Sequence, residues 1–414
     1  VAKTVPLDAR TLAWARSVFA RYYRTTTIDP PVRLPRREFA AFPFTVETAM
    51  RRHETLRTPD ELRTFLSNEV PRHVYYSAAY YRRPAEPTMA GKEWLGADLI
   101  FDLDADHLRG AEALDYAGQL ARVKERLVAL VDDFLIRDFG IAPDEISLVF
   151  SGGRGYHVHV RDDRFLLLSS PERRELVDYV QGTGFDARRT IIESHVNVRA
   201  GVLEDGGPAP GGRTGVLRLQ EMSPPESPGW KGRTTRAVLA LLARWQAAGR
   251  ETAVGELVGY GVSPVHARRM AKLLLDGGGA DRIRSSLRLE VLPGPLQEEF
   301  LEAVIPRAAV EVQGETDAPV TTDVHRLIRL PSSLHGGTGF RVVPLPREAL
   351  ERFDPLRDAP ASAPEAERVS VAFRETVSYP WGEGQIEGVA GTDAELPTPA
   401  ALFLTLRGET ALRP

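Results

Sequence analysis

Residues 146–160, ISLVFSGGRGYHVHV, constrain the fold more than any other stretch of this chain. ISLVF at 146–150 and YHVHV at 156–160 have the length and the β-branched, aromatic content of buried strands. Between them three glycines fall in four positions, which suits a tight turn and no regular element. A chain with this segment builds a sheet. A further strand is expected at 96–104 (GADLIFDLD), an apolar run with embedded acids. A helix is expected from Tyr116 to Phe139, where Leu120, Val123, Leu127, Leu130, Val131 and Phe134 recur at helical spacing and Gly140 ends the pattern. Strands alternating with a long helix indicate an α/β or α+β catalytic domain.

The remainder fills in around it. Residues 8–23 are expected to be helical, with Leu12, Val18, Phe19 and Tyr22 on the apolar side. Between 230 and 300 the pattern is helical again, in TTRAVLALLARWQAAG, VHARRMAKLLLDGG and LQEEFLEAV, and β-rich signals return after 304. Pro/Gly-rich stretches at 205–213, 223–229 and 359–364 are expected loops. The organisation expected is a catalytic part over 1–204, a mostly helical insertion over 205–303, and a second catalytic part with the C-terminal segment over 304–414. A length of 414 residues suits two to three domains, and 43% apolar with 27% charged residues is ordinary globular composition. No apolar run approaches the ~18 residues of a spanning helix. The opening VAKTVPLDARTL lacks the plan of a secretion signal, so the cytoplasm is the expected address, with no membrane partner. The absence of cysteine excludes disulfides, Cys-ligated zinc, a thiol nucleophile and iron–sulfur clusters. A net charge of −4 argues against a strongly basic nucleic-acid binder. Residues 201–250 and 261–290 nevertheless each carry a net +3, a mildly basic helical region able to hold a phosphate backbone.

Three constellations carry chemistry. Asp102 and Asp104 stand at i and i+2 on one expected strand, so both carboxylates project from one face while Phe101 and Leu103 face the core. Side-by-side carboxylates repel unless a proton or cation intervenes, and hard divalent ions such as Mg²⁺ suit them. Asp106 shares the parity but falls in the following turn. In the second constellation, Ser151–Val160, the glycines allow successive N–H groups to turn toward one anion and Arg154 adds a charged donor. His157 and His159 share a strand face there, as donors to triphosphate oxygens or as metal ligands. No GxxxxGK[ST] loop is present. The third runs from Thr316 to Val342 and gathers Asp317, Asp323, His325, Arg326, Arg329, Ser332, Ser333 and His335. Arg329, inside the apolar LIRLP, is expected to need an anionic partner, either a carboxylate or a nucleotide phosphate.

The order REF (Arg37–Phe39), FDLDAD, SGGRGYHVHV and DAPVTTDVHRLIRLPSSLHGGTG resembles the small catalytic subunit of archaeal and eukaryotic DNA primases, the archaeal form more closely. The resemblance runs from about residue 15 through the closing ELPTPAALFLTLRG. It implies the archaeo-eukaryotic primase catalytic fold, with mixed sheets and an inserted helical subdomain. It also implies an enzyme that copies single-stranded DNA into short primers from NTPs or dNTPs, using two Mg²⁺ or Mn²⁺ ions. A large regulatory subunit is the implied partner, with a replicative DNA polymerase as a further one. Carried over by position, Asp102, Asp104 and Asp317 match the metal-binding carboxylates, whereas Asp323 does not. Ser151, Gly152, Arg154, His157, Arg329 and His335 match the nucleotide-binding positions, and Glu38 and Arg52 align with residues lining the same pocket. Gly153 stands where some relatives carry a second basic residue. Many relatives also carry a Cys/His zinc knuckle between the aspartate pair and the SGG motif. Here there is no cysteine and only His107 in that interval, so no zinc is expected. The competing readings are a gap-filling polymerase of the end-joining type, from the same superfamily, and a non-catalytic RRM-like nucleic-acid-binding module.

Overall fold

The computed structural model describes residues 7–45, 49–108, 110–199, 214–361 and 367–413. The expected loop at 205–213 and residues 362–364 of the loop expected at 359–364 lie outside these. The chain forms two compact units, Val1–Asp132 with Ile141–Val177 and Glu315–Pro414, and Asp133–Gly140 with Asp178–Gly314.

Two four-stranded sheets organise the first unit. One has the order Val343–Leu345, Ile146–Phe150, Gly155–Val160, Leu99–Asp104. The Gly155–Val160 strand is interior, and all six of its residues are buried. Phe150 stands opposite Tyr156, and Asp102 opposite His157. The other sheet has the order Leu327–Arg329, His73–Ser77, Phe39–Phe42, Arg51–Glu54, with Arg329 opposite Tyr75. Ile100 of the first sheet joins Phe39, Tyr76 and Ile328 of the second in one buried cluster. The helix Ala9–Thr25, expected at 8–23, adds Ala15, Val18, Phe19, Tyr22 and Tyr23 to that cluster. Its N-terminus is held by Asp8, whose carboxylate accepts the Thr11 N–H at 2.8 Å.

The α+β class is as expected, but the sheets are not mixed: the strand pairings among the described residues are all antiparallel. Ile146–Phe150 and Gly155–Val160 illustrate the reason. A turn of four residues leaves no length for the crossover that parallel pairing requires. The helix expected over 116–139 is α-helical from Tyr116 to Ala129 and then π-helical from Leu130 to Ile136. The winding changes where apolar residues come in adjacent pairs, Leu130–Val131 and Phe134–Leu135, all buried.

A C-terminal three-stranded sheet packs beside the buried helix Thr398–Leu406. Phe403 of that helix stacks on Phe340 at 4.8 Å between ring centroids, which anchors the 331–342 loop. The second unit has a hairpin of Ile191–Arg199 with Thr214–Met222, followed by helices including Gly229–Ala248, Arg250–Gly259, Pro264–Ala271 and Gly279–Ser286. Its core holds Leu241, Trp245, Leu257, Met270, Ile283 and Phe300. Strands do not resume at once after 304. Ile305–Glu311 is helical, because Ile305, Ala308 and Ala309 repeat at helical spacing into this core.

Candidate active site

Alternation along Leu99–Asp104 buries Phe101 and Leu103 and leaves Asp102 and Asp104 partly exposed on the other face. Asp317 joins them from far along the chain because Thr316 and Asp317 clip onto this strand. The Asp317 N–H donates to the Asp102 carbonyl at 2.8 Å and the Thr316 hydroxyl to the same oxygen at 3.2 Å. Burial, followed by the charges of Asp104 and Asp317, pushes the Asp102 carboxyl up to about 7. His157 Nε2 lies 3.6 Å from Asp102 Oδ1, and His107 Nδ1 lies 3.9 Å from Asp317 Oδ2. Among the described residues no three such side chains already stand gathered as metal ligands. Asp104 explains part of this, since its Oδ1 accepts the Asp106 N–H at 3.0 Å and caps the next turn. The donor set, three carboxylates one of which is made abnormally basic by burial and by the other two, fits hard divalent cations.

The glycine turn is more selective than its sequence implies. The Gly153 N–H goes to Ser151 Oγ at 3.3 Å and the Ser151 N–H to the Gly155 carbonyl at 2.9 Å. Only the N–H groups of Gly152 and Arg154 are left without a partner among the described residues. Gly152 has φ +77°, and a Cβ there would lie 2.7 Å from His335 Cβ, so glycine is required. Its carbonyl accepts the Thr338 hydroxyl at 2.5 Å, tying the turn to the His335 loop. The Arg154 guanidinium pairs with Asp106. His157 is buried and held well below its ordinary pKa by burial and by His159, so it is a neutral donor rather than a cation. His159 is fully buried, its ring stacked on Tyr76, and takes no part in the site.

Of the two anionic partners expected for Arg329, the carboxylate is not found among the described residues. Arg329 Nη1 donates to His73 Nδ1 at 2.7 Å and to the Tyr75 hydroxyl at 3.3 Å, and its Nε is buried without a partner. Burial and the Arg329 charge hold His73 well below its ordinary pKa, so the imidazole accepts as a neutral ring. His335 Nδ1 is engaged by its own loop, 3.2 Å from the Gly337 nitrogen and 3.1 Å from the Thr338 hydroxyl oxygen, which leaves Nε2 as the ring nitrogen without a partner among the described residues. That nitrogen faces Gly153, whose added Cβ would lie 3.4 Å away. Asp323 caps a turn by accepting the His325 N–H at 2.9 Å, and the His325 ring stacks on Tyr81. Glu38 is fully buried and committed to Arg52 at 3.1 Å, to the His53 N–H at 3.2 Å and to Lys92 at 3.5 Å. Glu38 and Arg52 therefore meet each other, and neither lines the cavity beside the turn.

That cavity, of about 600 Å³, is bounded by Asp104, Gly153, Arg154 and His335, with Arg72 and Tyr116 among its other walls. The Tyr116 hydroxyl donates to the Gly153 carbonyl at 2.7 Å. Arg72, His73, Tyr75, Tyr116 and Thr338 are absent from the sequence-derived site. The alternation of His73, Tyr75 and Ser77 in HVYYS is the signal that could have found His73 and Tyr75.

The family model for the DNA primase small subunit matches residues 101–346, which include both aspartate segments, the glycine turn, Arg329 and His335. The DNA primase small subunit PriS of Methanocella arvoryzae is 39% identical over 99% of this chain and 100% of its own length. That of Methanothrix thermoacetophila is 39% identical over 97% of this chain and 99% of its own. That of Halobacterium salinarum is 39% identical over 85% of this chain and 86% of its own. With identity at this level from end to end, the chain belongs to the DNA primase small subunit family.

Proposed function

We propose that this chain is the catalytic subunit of a DNA primase, making short primers on single-stranded DNA by nucleotidyl transfer. The observation that carries the reading is the clip between Asp317 and the Asp102 carbonyl, which brings a third carboxylate to the aspartate pair beside an anion-ready turn. Membership of the family implies metal-dependent catalysis, and we assign two ions, Mg²⁺ or Mn²⁺, to Asp102, Asp104 and Asp317. When bound, they supply charge neutralisation and activate the attacking hydroxyl. The residues of the chain do the positioning. Ser151, the N–H groups of Gly152 and Arg154, neutral His157, Arg329 and His335 Nε2 hold the triphosphate of the incoming NTP or dNTP. They set its α-phosphate in line with the 3′-hydroxyl of the growing strand. The new P–O bond forms as the bond to the β-phosphate breaks and pyrophosphate leaves. Such transfer rests on orientation and electrostatics, with no covalent step by the protein.

As a small subunit, the chain implies a partner subunit and a DNA template. We assign the large regulatory subunit as the first, in a heterodimer, and the replicative polymerase as recipient of the primer. The second unit, which spans the insertion expected over 205–303 and also takes in Asp133–Gly140 and the flanking residues from Asp178 to Gly314, is assigned to the template, and no zinc is assigned. No described helix is long and apolar enough to cross a membrane; the cytoplasm is the assigned site of action.

Incubation with unprimed single-stranded template, NTPs or dNTPs and Mg²⁺ or Mn²⁺, followed by product sizing, tests the reading. Oligonucleotides made without a primer are expected. Synthesis that requires a primer facing a recessed 5′-phosphate would make the chain a gap-filling polymerase instead. Asp317→Asn is expected to abolish incorporation while the protein stays folded.

A further inference from the structure

Three arginines surround one imidazole. Beyond burial, the charges of Arg329, Arg72 and Arg154 all act on His335 and hold its pKa down. Arg154 is matched by Asp106, and Arg329 is engaged by His73. Among the described residues the Arg72 side chain makes one hydrogen bond: its Nε donates to the Gly336 carbonyl at 3.0 Å. Its two terminal nitrogens have no hydrogen bond or ion pair among the described residues. The side chain is half-buried in the wall of the cavity that Gly153, Arg154 and His335 also line. Its stem is fixed there. A Cβ on Gly336 would lie 2.4 Å from both Arg72 Cγ and the Arg72 carbonyl oxygen, so the His335 loop runs directly against this residue. A guanidinium held partly out of water with donors unused is costly until an anion completes it.

We propose that Arg72 is a further phosphate-binding residue of this site, its terminal nitrogens contacting the polyphosphate tail of the incoming nucleotide alongside Arg154 and His335. The inference rests on the nucleotidyltransferase reading above. It also accounts for the charge balance. A triphosphate adds several negative charges to a site that already holds three aspartates, and Arg154 is already spent on Asp106. Arg72, like Arg329, has no carboxylate partner among the described residues.

The geometry supplies its own control. Gly153 lacks the left-handed backbone of Gly152. A Cβ there would make ordinary contacts, 3.4 Å from His335 Nε2 and 3.6 Å from Ser151 Oγ. An arginine at 153 can therefore offer a cation to the same cavity from another wall.

The experiment compares the full chain with Arg72→Met, which keeps the packed stem, and with Arg72→Met combined with Gly153→Arg. Inorganic tripolyphosphate is titrated calorimetrically without template, and nucleotide KM is measured in unprimed synthesis. Arg72→Met is expected to weaken tripolyphosphate binding and raise KM by about tenfold or more, with an unchanged melting temperature. Gly153→Arg is expected to restore much of both. A folded Arg72→Met protein with unchanged tripolyphosphate binding and unchanged KM overturns the proposal. Absence of any synthesis by the unsubstituted chain would count against the nucleotidyltransferase reading alone, since the tripolyphosphate titration still decides the role of Arg72.

Discussion

Asp102 is the residue whose environment makes the sharpest demand. Its carboxyl keeps a proton in the folded, metal-free chain up to about pH 7. An unfolded aspartate releases it near 3.9. Between those values the folded state binds more protons than the unfolded state, so stability falls as pH rises through the window. Melting curves of metal-free protein from pH 5 to 8 are expected to show that fall, and Asp102→Asn to flatten it; parallel curves for the two proteins would contradict it. A cation must displace the same proton, so the apparent affinity for Mg²⁺ strengthens as pH rises toward and past 7. Arg329 gives a second prediction. Its partner is a neutral imidazole, so Arg329→Ala orphans no carboxylate and melting temperature changes little. Loss of a charged donor to phosphate, worth about 1.5–3 kcal/mol, lowers kcat/KM about ten- to a hundredfold. A large drop in melting temperature with normal nucleotide dependence would make Arg329 a brace instead. The contrast between these residues marks what a sequence exposes. The aspartate pair is legible because strand parity is local. The partner of Arg329 is not, because His73 lies 256 positions away in sequence.

At the scale of elements, the site depends on how closely the Gly155–Val160 and Leu99–Asp104 strands approach. A Cβ on Gly155 would lie 2.3 Å from the Leu103 carbonyl oxygen, in backbone that cannot give way without moving the aspartates. Gly155→Ala is expected to cost about 1–3 kcal/mol, the usual range for overpacking, and to reduce incorporation more than melting temperature alone explains. Gly153→Ala, two positions earlier and with ordinary clearance, is expected to leave thermal stability within ~0.5 kcal/mol. Equal losses of stability for the two would show that the turn, not the strand approach, sets the geometry. The elements themselves were largely readable. Strands at 146–150 and 156–160, and helices near residues 9 and 116, follow from periodicity and flanking glycine or aspartate. The π-helical turn at Leu130–Ile136 and the helix Ile305–Glu311 were not, because apolar spacing does not distinguish windings, and short helices draw their stability from the core they join.

For the whole molecule the question is how a chain of net charge −4 holds a polyanion. Composition locates two stretches of net +3 but cannot say which cations are already spent. In the second unit Arg188, Arg233, Arg244, Arg250, Arg284 and Arg288 are each ion-paired with an aspartate or glutamate. Arg268, Arg269 and Lys272 differ. All three are exposed and without an ion pair among the described residues, on the helix Pro264–Ala271 and the first residue beyond it. Their spacing of i, i+1 and i+4 places them on one helix face. Each cation that meets a single-strand phosphate releases counterion and steepens the salt dependence by about 0.7 in the log–log slope. Replacing all three by Ala is therefore expected to weaken binding to a fluorescent oligothymidine and to reduce that slope by about 2. Nucleotide KM at saturating template should stay as it was, because the residues proposed to hold the triphosphate belong to the first unit. An unchanged slope would move the template away from this face. A slope that falls together with a higher nucleotide KM would show that template and nucleotide are bound cooperatively rather than by separate sets of cations.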